Sequence, residues 1–385
     1  MSDKETYEQF VDWLGKTWWE LTESEELMPL IMTHFTPEEA AFLTGIPFSS
    51  KSLEELSALK EMAPAELSPH LDDMARKGMI YKSVRGDSIR YRLNDSFFGL
   101  LRANLWPGGT DEMTKTTAPM INRYALDGWL DQYNDAHLKG LRALPIHKTI
   151  EDTRQILPFE DVVKVIEDRE YYTVSTCPCR HRHNLDPDMA DCKHPTEVCL
   201  HFDELGHYIV EYDMGREITK EETLEILKKS ADSGLVHGVS NWKHGADTIC
   251  NCCSCCCMWM ETYHKLGHGK SLDASNYEVE VKAETCKGCA LCVKRCPMDA
   301  LQLKVSAEVR NKVGKAAEVD LDVCIGCGVC VHKCPSGSLS LVRKRDTTEP
   351  PETPREYMKH YLADRQAARE RRGEAAQAKG GISHG

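Results

Sequence analysis

The sequence CKGCALCVKRCP begins at Cys286, and the sequence CIGCGVCVHKCP begins at Cys324. Each has the form C-x2-C-x2-C-x3-C-P, so one cysteine pattern occurs twice. Thiolates this closely spaced can surround a polynuclear site only if the loop turns tightly, which Gly288, Gly326 and Gly328 permit. The proline after each fourth cysteine prevents the loop from continuing as a helix. This is the spacing of iron–sulfur ligands in which the fourth cysteine of each run binds the other cluster.

A pair of zinc sites is the alternative for this stretch. Zinc motifs usually combine two C-x2-C units and lack the third and fourth cysteines seen here. The stretch resembles the bacterial-type ferredoxin family with two four-iron four-sulfur clusters, over about residues 277–342. The resemblance implies a pseudo-twofold module with a short hairpin and a helix in each half. It also implies two ligand sets: Cys286, Cys289, Cys292 and Cys334 for one cluster, and Cys324, Cys327, Cys330 and Cys296 for the other.

The segment between the two runs, residues 297–323, is longer than in compact members of that family. Its sequences DALQLKVS and KAAEVDLD are expected to form two strands around a turn at residues 311–314. This addition leaves the ligand sets intact.

Composition limits the class of protein. The chain has 385 residues, enough for two to four domains, and 41% of them are hydrophobic, as in a globular protein. Its net charge of −13 argues against a polyanion as the main ligand. We expect a cytoplasmic protein, because no signal peptide and no apolar stretch of membrane-spanning length are apparent. The 18 cysteines then indicate metal ligands and not disulfides.

Residues 1–28 predict an acidic amphipathic helix with its apolar face formed by Phe10, Val11, Leu14, Trp18 and Leu21. Residues 29–106 predict a winged-helix-like domain. Helices are expected to start at Pro37, after the Ser52 cap with Glu55 completing a capping box, and at Pro64. The alternating sequence MIYKSVRGDSIRYRLN then predicts a two-stranded hairpin.

The charge of this region argues against DNA as its ligand. Residues 1–105 contain 11 Lys and Arg against 18 Asp and Glu, a net charge of −7. The third helix carries acidic residues where phosphates would lie, and only the hairpin is basic, with Lys82, Arg85, Arg90 and Arg92. We therefore expect the region to serve protein docking or homodimer formation, with DNA as the less favoured alternative.

Two further segments flank the cysteine-rich parts. Residues 107–175 predict a Gly/Thr-rich linker, helices at about 119–137 and 158–168, and a short strand before the first cysteine. Residues 346–385 predict a charged arm with a helix at about 355–376, with Tyr357, Tyr361 and Leu362 on one side, and a disordered end.

The middle region, residues 176–270, contains the remaining ten cysteines. Nine are predicted metal ligands: Cys177, Cys179, Cys192, Cys199, Cys250, Cys252, Cys253, Cys255 and Cys256. The tenth is Cys257. Neighbouring side chains such as Cys252 and Cys253 diverge, so they are expected to serve different clusters. One or two iron–sulfur clusters are predicted, and a capped helix after Thr219, with Glu222 completing the box, separates the two cysteine groups.

Zinc and a metal-free dithiol are the alternatives for the middle region. Zinc could recruit the nearby histidines His181, His183, His194 and His201, which we expect instead to donate hydrogen bonds or remain solvated. Arg180 and Arg182 are expected to offset the negative charge of a thiolate-ligated cluster. The pattern CPCR … C … C … ICNCC resembles an iron–sulfur domain fused to ferredoxin modules in anaerobes, which implies metal binding without a specific activity.

The predicted fold class is a multidomain α+β protein, with a dicluster ferredoxin-like module at residues 271–345. No nucleotide-binding glycine loop or nucleophile elbow occurs in the sequence. The predicted function is a multi-cluster electron-transfer protein, a subunit of an oxidoreductase complex in anaerobic metabolism rather than a stand-alone enzyme. The alternatives are a redox-responsive winged-helix regulator and a reductase with an open-site middle cluster.

Overall fold

The computed structural model describes residues 2–16, 21–130, 133, 137–146, 149–150, 158–167, 169–189, 192–269 and 272–380. Helices and antiparallel strand pairs alternate along the chain. The chain divides into two units. The first comprises residues 1–129, 166–237 and 247–258, and the second comprises residues 130–165, 238–246 and 259–385. Within the described ranges no helix is long and apolar enough to cross a membrane.

The α-helices run over Asp3–Leu14, Leu27–His34, Pro37–Leu43, Leu53–Lys60, Pro64–Arg76, Glu112–Tyr124, Val162–Glu167, Pro178–Leu185, Asp203–Glu211, Lys220–Ser233, Met258–Leu266, Leu291–Arg295, Val329–His332 and Pro354–Gly380. Wider π-helical turns occupy Phe97–Ala103 and Ala125–Trp129, and 3-10 turns occupy Pro158–Glu160 and Ala283–Thr285. The strands are β1 (Ile80–Arg85), β2 (Ser88–Leu93), β3 (Leu141–Leu144), β4 (Tyr172–Thr176), β5 (Glu197–Phe202), β6 (Arg216–Ile218), β7 (Val236–Ser240), β8 (Thr248–Cys252), β9 (Tyr277–Val281), β10 (Leu301–Val305), β11 (Lys315–Val319) and β12 (Leu339–Arg343).

The first helices of the chain form where local capping signals favour them. The side chains of Thr36 and Ser52 each accept a hydrogen bond from the backbone N–H three residues on. The carboxylates of Glu39 and Glu55 accept from the backbone N–H of Thr36 and Ser52, so both capping boxes are complete. Leu30, Leu43 and Leu67 of these first helices have fully buried side chains. The predicted helix of residues 1–28 is shorter than expected. It ends at Leu14, the next helix begins at Leu27, and Trp18 lies outside the described residues.

Strands β1 and β2 form the predicted hairpin, in which Arg85 pairs with Ser88 at the turn. The positive φ of 57° at Gly86 gives this tight turn its left-handed conformation. The hairpin cations mostly meet carboxylates of the same unit: Lys82 pairs with Glu211 at 2.5 Å, and Arg85 pairs with Glu204 at 3.0 Å.

The antiparallel sheet of the first unit positions most of the middle cysteines. Its strands follow the order β8-β5-β4-β6. Strand β4 pairs with β5 so that Ser175 lies opposite Cys199. Strand β5 pairs with β8 through Leu200 opposite Ile249 and His201 opposite Thr248.

Two predictions about the segments before this sheet need correction. The expected linker contains the start of a helix, Glu112–Tyr124. Asp111 caps this helix, because its carboxylate accepts hydrogen bonds from the Thr114 backbone N–H at 3.0 Å and from the Thr114 hydroxyl at 2.7 Å. The helix predicted at 119–137 therefore starts earlier, and most of residues 131–136 lie outside the described residues. The helix predicted at 158–168 is a 3-10 turn followed by Val162–Glu167, with residue 168 outside the described set.

The capped helix Lys220–Ser233 also differs from its prediction in one contact. Thr219 accepts from the Glu222 amide at 3.1 Å, and Gly234 ends the helix with a φ of 90°. The Glu222 carboxylate accepts from Arg216 at 2.6 Å, so the structure gives it an ion pair in place of the expected capping role.

The second unit contains both C-x2-C-x2-C-x3-C-P runs, two antiparallel strand pairs and two short helices. Strand β9 pairs with β12, and β10 pairs with β11 from Leu301 opposite Val319 to Val305 opposite Lys315. The β10–β11 pair is the predicted insertion hairpin, and the Asn311 side chain stabilises its turn by accepting from the amides of Val313 and Gly314, both at 2.9 Å.

The C-terminal helix also belongs to the second unit. Tyr357 and Tyr361 are buried on one of its faces as predicted, but Leu362 is 45% exposed and does not share that face. Leu362 follows Tyr361 directly, and a helical step of one residue turns a side chain away from its predecessor. The end predicted to be disordered, residues 381–385, lies outside the described residues.

Candidate metal centres

The two cysteine runs of the second unit turn sharply where their glycines allow. Gly288, Gly326 and Gly328 have φ values of 64°, 66° and 76°. A side chain at Gly326 would come within 2.1 Å of the Tyr277 carbonyl oxygen, so only glycine fits that approach. Ala290, the position matching Gly328 in the first run, takes the same left-handed conformation with a φ of 59°.

The thiols of these runs lie in two neighbourhoods. Burial and then the charges of Cys286, Cys334 and Cys289 raise the pKa of Cys292. Burial raises the pKa of Cys327 to about 12, and its charged neighbours are Cys296 and Cys324. The fourth cysteine of each run thus lies beside the first three of the other run.

Four of these thiols share one cavity. Cys296, Cys324, Cys327 and Cys330 all line one cavity, together with apolar side chains that include Val279, Leu301 and Ile325. Among the described residues, which include all eight of these cysteines, no three of the eight have sulfur atoms that all lie within 4.8 Å of one another. Four thiols around an open, apolar cavity are a donor set suited to a polynuclear iron–sulfur centre.

Hydrogen bonds differ between the two neighbourhoods. Burial raises the pKa of Cys334, while Ser338 and Ser336 lower it, and the result is about 7. The Cys334 sulfur shares hydrogen bonds with Ser338 Oγ at 3.4 Å and Ser336 Oγ at 3.6 Å. Hydrogen bonds to ligand sulfur influence cluster potential, so this contact distinguishes the Cys334 neighbourhood.

The ten middle cysteines lie in the first unit and separate into two groups. The four-thiol group consists of Cys192, Cys253, Cys255 and Cys256, whose sulfur atoms all lie within 4.8 Å of one another. The six-thiol group consists of Cys177, Cys179, Cys199, Cys250, Cys252 and Cys257. The adjacent residues Cys252 and Cys253 lie in different groups.

The six-thiol group is a chain of contacts around the end of strand β8. Hydrogen bonds from neighbouring thiols are the largest cause of the altered pKa values: Cys179 raises the pKa of Cys177, and Cys250 raises that of Cys199. Cys250 also contacts Cys252, Cys252 contacts Cys257, and Cys257 contacts Cys179.

Strand register explains how distant parts of the sequence meet in the six-thiol group. Because Leu200 pairs with Ile249 and His201 with Thr248, the next pair along these antiparallel strands is Cys199 with Cys250. Cys252 lies two residues further along β8 and so shares the face of Cys250. Cys177 and Cys179 enter from the start of the helix Pro178–Leu185.

Two arginines of that helix lie beside the four-thiol group. Arg180 is fully buried and donates from Nε to the Cys253 sulfur at 3.4 Å. Arg182 is also fully buried and donates from Nη2 to the Cys256 carbonyl oxygen at 3.3 Å. These positions match the expected role of offsetting thiolate charge.

The histidines near these cysteines are buried or bonded to other protein groups. His181 bonds to the Gly109 carbonyl at 2.7 Å, His194 to Ser233 Oγ at 2.7 Å, and His201 to Thr248 Oγ1 at 3.3 Å. His183 is buried. Burial lowers the pKa of His201 to about 3, so its ring is neutral at pH 7. None of the four belongs to the compact ligand group found among the described residues.

Sequence reasoning left Cys257 out of the predicted ligands, although its thiol contacts Cys179 and Cys252. It also missed Asn184, whose Oδ1 accepts from the Cys192 amide at 3.0 Å and so supports the four-thiol group. The spacing of the cysteines in the run Cys250–Cys257 does not show which group each one joins. No sequence signal identifies Asn184.

Comparison with known proteins addresses the C-terminal side of the chain. Residues 278–349 match the family model of the 4Fe-4S dicluster domain. No curated protein and no solved structure shows significant similarity to the chain. The dicluster match identifies an iron–sulfur protein with a ferredoxin-type domain and points to iron–sulfur electron transfer.

Proposed function

We propose that this protein relays single electrons between a redox donor and a partner oxidoreductase in anaerobic metabolism, as an electron-transfer subunit. The observation that carries the proposal is the dicluster match over residues 278–349 around eight cysteines. Bound four-iron four-sulfur clusters supply one-electron oxidation and reduction. The residues of the chain hold the clusters, exclude water from them and set their potentials through burial and hydrogen bonds to sulfur.

The proposed ligand sets of the dicluster domain follow the two thiol neighbourhoods. One consists of Cys286, Cys289, Cys292 and Cys334, and the other consists of Cys324, Cys327, Cys330 and Cys296. The cavity lined by all four cysteines of the second set supports this assignment. The Ser336 and Ser338 contacts to Cys334 would make the two sites unequal in potential.

A third cluster is proposed at the six-thiol group of the first unit. Its thiols form a chain of contacts, and no three of them cluster within 4.8 Å among the described residues, so a centre larger than one ion suits them. Six thiols offer two more than a cubane needs. Cys250 is an interior member of this chain of contacts, because it contacts both Cys199 and Cys252.

The proposed organisation has an N-terminal helix within residues 1–28, a winged-helix-like domain at 29–106, connecting helices at 107–175, a cysteine-rich domain at 176–270, the dicluster domain at 271–345 and an arm at 346–385. Cytoplasmic redox proteins are the proposed partners. Lys82 and Arg85 of the hairpin already pair with Glu211 and Glu204, which favours protein docking or homodimer formation over DNA binding for this region.

Metal and sulfide analysis of protein purified without oxygen tests the proposal. Two clusters in the dicluster domain and one at the six-thiol group predict about 12 irons and about 12 acid-labile sulfides per chain. About eight of each would remove the third cluster and retain the ferredoxin role. Colourless protein, or zinc as the metal throughout, would overturn the proposed function.

A further inference from the structure

The four-thiol group differs in size from the other cysteine sites. Its sulfur–sulfur distances are 3.5 Å from Cys192 to Cys255, 3.6 Å from Cys255 to Cys256, and 4.0 Å from Cys192 to Cys253. Among the residues that the structure describes, it is the one group of three or more potential ligands within 4.8 Å of one another. Four cysteines of the dicluster domain, by contrast, line a cavity.

These distances are those of a single-ion site. A tetrahedral metal ion with four sulfur ligands at about 2.3 Å separates the sulfurs by about 3.8 Å. In a cubane each thiolate binds a different iron, so the thiolates must stand farther apart. We propose that Cys192, Cys253, Cys255 and Cys256 bind one tetrahedral metal ion, and that zinc is the ion their chemistry favours, instead of a four-iron cluster.

The local structure produces this arrangement. A turn closed by the Cys257 amide bonding to the Cys253 carbonyl at 3.1 Å brings three of the four thiols together. Cys192 supplies the fourth thiol. Its backbone N–H donates a hydrogen bond to Asn184 Oδ1 at 3.0 Å, which holds Cys192 in place. Four thiolates around a divalent ion carry a net charge of −2, and the buried Arg180 donates to the Cys253 sulfur, where it offsets that charge.

The ligand count assigns the site a structural role. Four protein ligands fill a tetrahedral ion and leave no position for substrate or water. Cys255 is exposed and Cys192 is half-buried, so an ion can reach the site from solvent. An ion there links the loop Cys253–Cys256 to the segment that contains Cys192. This loop directly follows strand β8, which carries Cys250 and Cys252 of the six-thiol group.

Single-cysteine variants test the inference. Cys192→Ser should lose one zinc per chain and keep the full content of iron and acid-labile sulfide. The matched control, Cys250→Ser in the six-thiol group, should lose about four irons with their sulfide and keep the zinc. Loss of about four irons and sulfides from Cys192→Ser, or no loss of any metal, would overturn the single-ion site. Loss of one iron without sulfide would support it and assign the ion as iron.

X-ray absorption at the zinc edge gives an independent readout. The wild-type protein should show four sulfur neighbours at about 2.3 Å. A nearby iron or a shell of light nitrogen or oxygen atoms would contradict the tetrathiolate ion. The inference and the proposed function can fail separately, because about eight irons per chain in the wild-type protein would remove the third cluster and leave the zinc result unchanged.

Discussion

Arg180 donates a hydrogen bond from Nε to the sulfur of Cys253 at 3.4 Å, although the two residues are 73 positions apart in the chain. Its other guanidinium nitrogens donate to the carbonyl oxygens of Pro195 and Asn251. One buried side chain therefore bonds to a ligand sulfur and to both backbone segments that lead to the four-thiol group. A planar fork with several donors can do this, whereas an ammonium group cannot reproduce its geometry.

Arg180→Lys should weaken metal binding at the four-thiol group while keeping the positive charge. We expect the affinity for zinc to fall about 10- to 100-fold, the usual effect of losing a residue that supports a metal ligand. Competition with a chelator of known affinity measures the change. Arg216→Lys is the control, because Arg216 is half exposed and pairs with the carboxylates of Glu197 and Glu222; it should retain wild-type affinity. Equal zinc affinities in Arg180→Lys and wild type would show that the guanidinium group of Arg180 is not needed for metal binding.

Paired cysteine variants test which thiols share a cluster in the dicluster domain. Cys296→Ala and Cys327→Ala should each lose about four irons, and the double variant should lose no more, since both belong to one proposed set. Combining Cys296→Ala with Cys292→Ala should lose about eight irons, because these neighbours in sequence belong to different sets. Iron and sulfide analysis measures both. A loss of eight from the Cys296–Cys327 pair would reject crossed ligation.

The sequence predicts those features that local spacing determines. The C-x2-C-x2-C-x3-C-P runs predict the dicluster domain, and residues 278–349 confirm it. The capping residues Thr36 and Ser52 likewise predict helix starts that the structure has. In each case the relevant atoms lie within a few residues of one another, so chain geometry alone is sufficient.

Features that depend on strand register could not be predicted. The division of the ten middle cysteines follows from the pairing that places Cys199 opposite Cys250, and sequence spacing does not specify that pairing. The start of the helix Glu112–Tyr124 was predicted too late in the chain for a different reason. Its Gly-rich approach and its internal Pro119 both suggest a loop, yet the Asp111 cap and buried partners such as Ile121 stabilise the helix.

A buried ion pair should make the second unit sensitive to one carboxylate. Nη1 of Arg142 and Oε1 of Glu160 lie 3.7 Å apart, and the two side chains are 4% and 0% exposed, respectively. Burial lowers the pKa of Arg142 to about 10, so the guanidinium stays charged at pH 7. Glu160 also accepts from the Asn276 amide at 2.7 Å, which links it to the start of the dicluster domain.

Glu160→Gln should lower the free energy of unfolding by about 3–5 kcal/mol, because it leaves the Arg142 charge buried without its partner. Anaerobic urea unfolding followed by cluster absorbance measures the change. Glu349→Gln is the control: Glu349 is 63% exposed and Lys243 keeps a second partner in Glu352, so loss of this pair should have little effect on stability. A cost for Glu160→Gln as small as that of the control would show that Arg142 finds other compensation.

His34 should make the first unit less stable in mild acid. The side chain is buried, and neither ring nitrogen has a hydrogen-bond partner among the described residues. Burial, and then the charge of Lys77, lowers the pKa of His34 to about 4, whereas the unfolded chain takes up the proton near 6.5. Between these values the unfolded state binds more protons than the native state, so stability falls as the pH falls.

His34→Leu should remove this dependence. The native and unfolded pKa values correspond to about 2 kcal/mol of stability lost by the wild type between pH 7 and pH 5. Between pH 7 and pH 5 the unfolding free energy of the variant should therefore rise by that amount relative to that of the wild type. The effects of other titrating groups cancel, because both proteins contain them. Urea unfolding followed by tryptophan fluorescence at pH 5, 6 and 7 measures it. The same replacement at exposed His70 should leave the wild-type slope, and an equal slope in His34→Leu would mean that the native state protonates His34 at no cost.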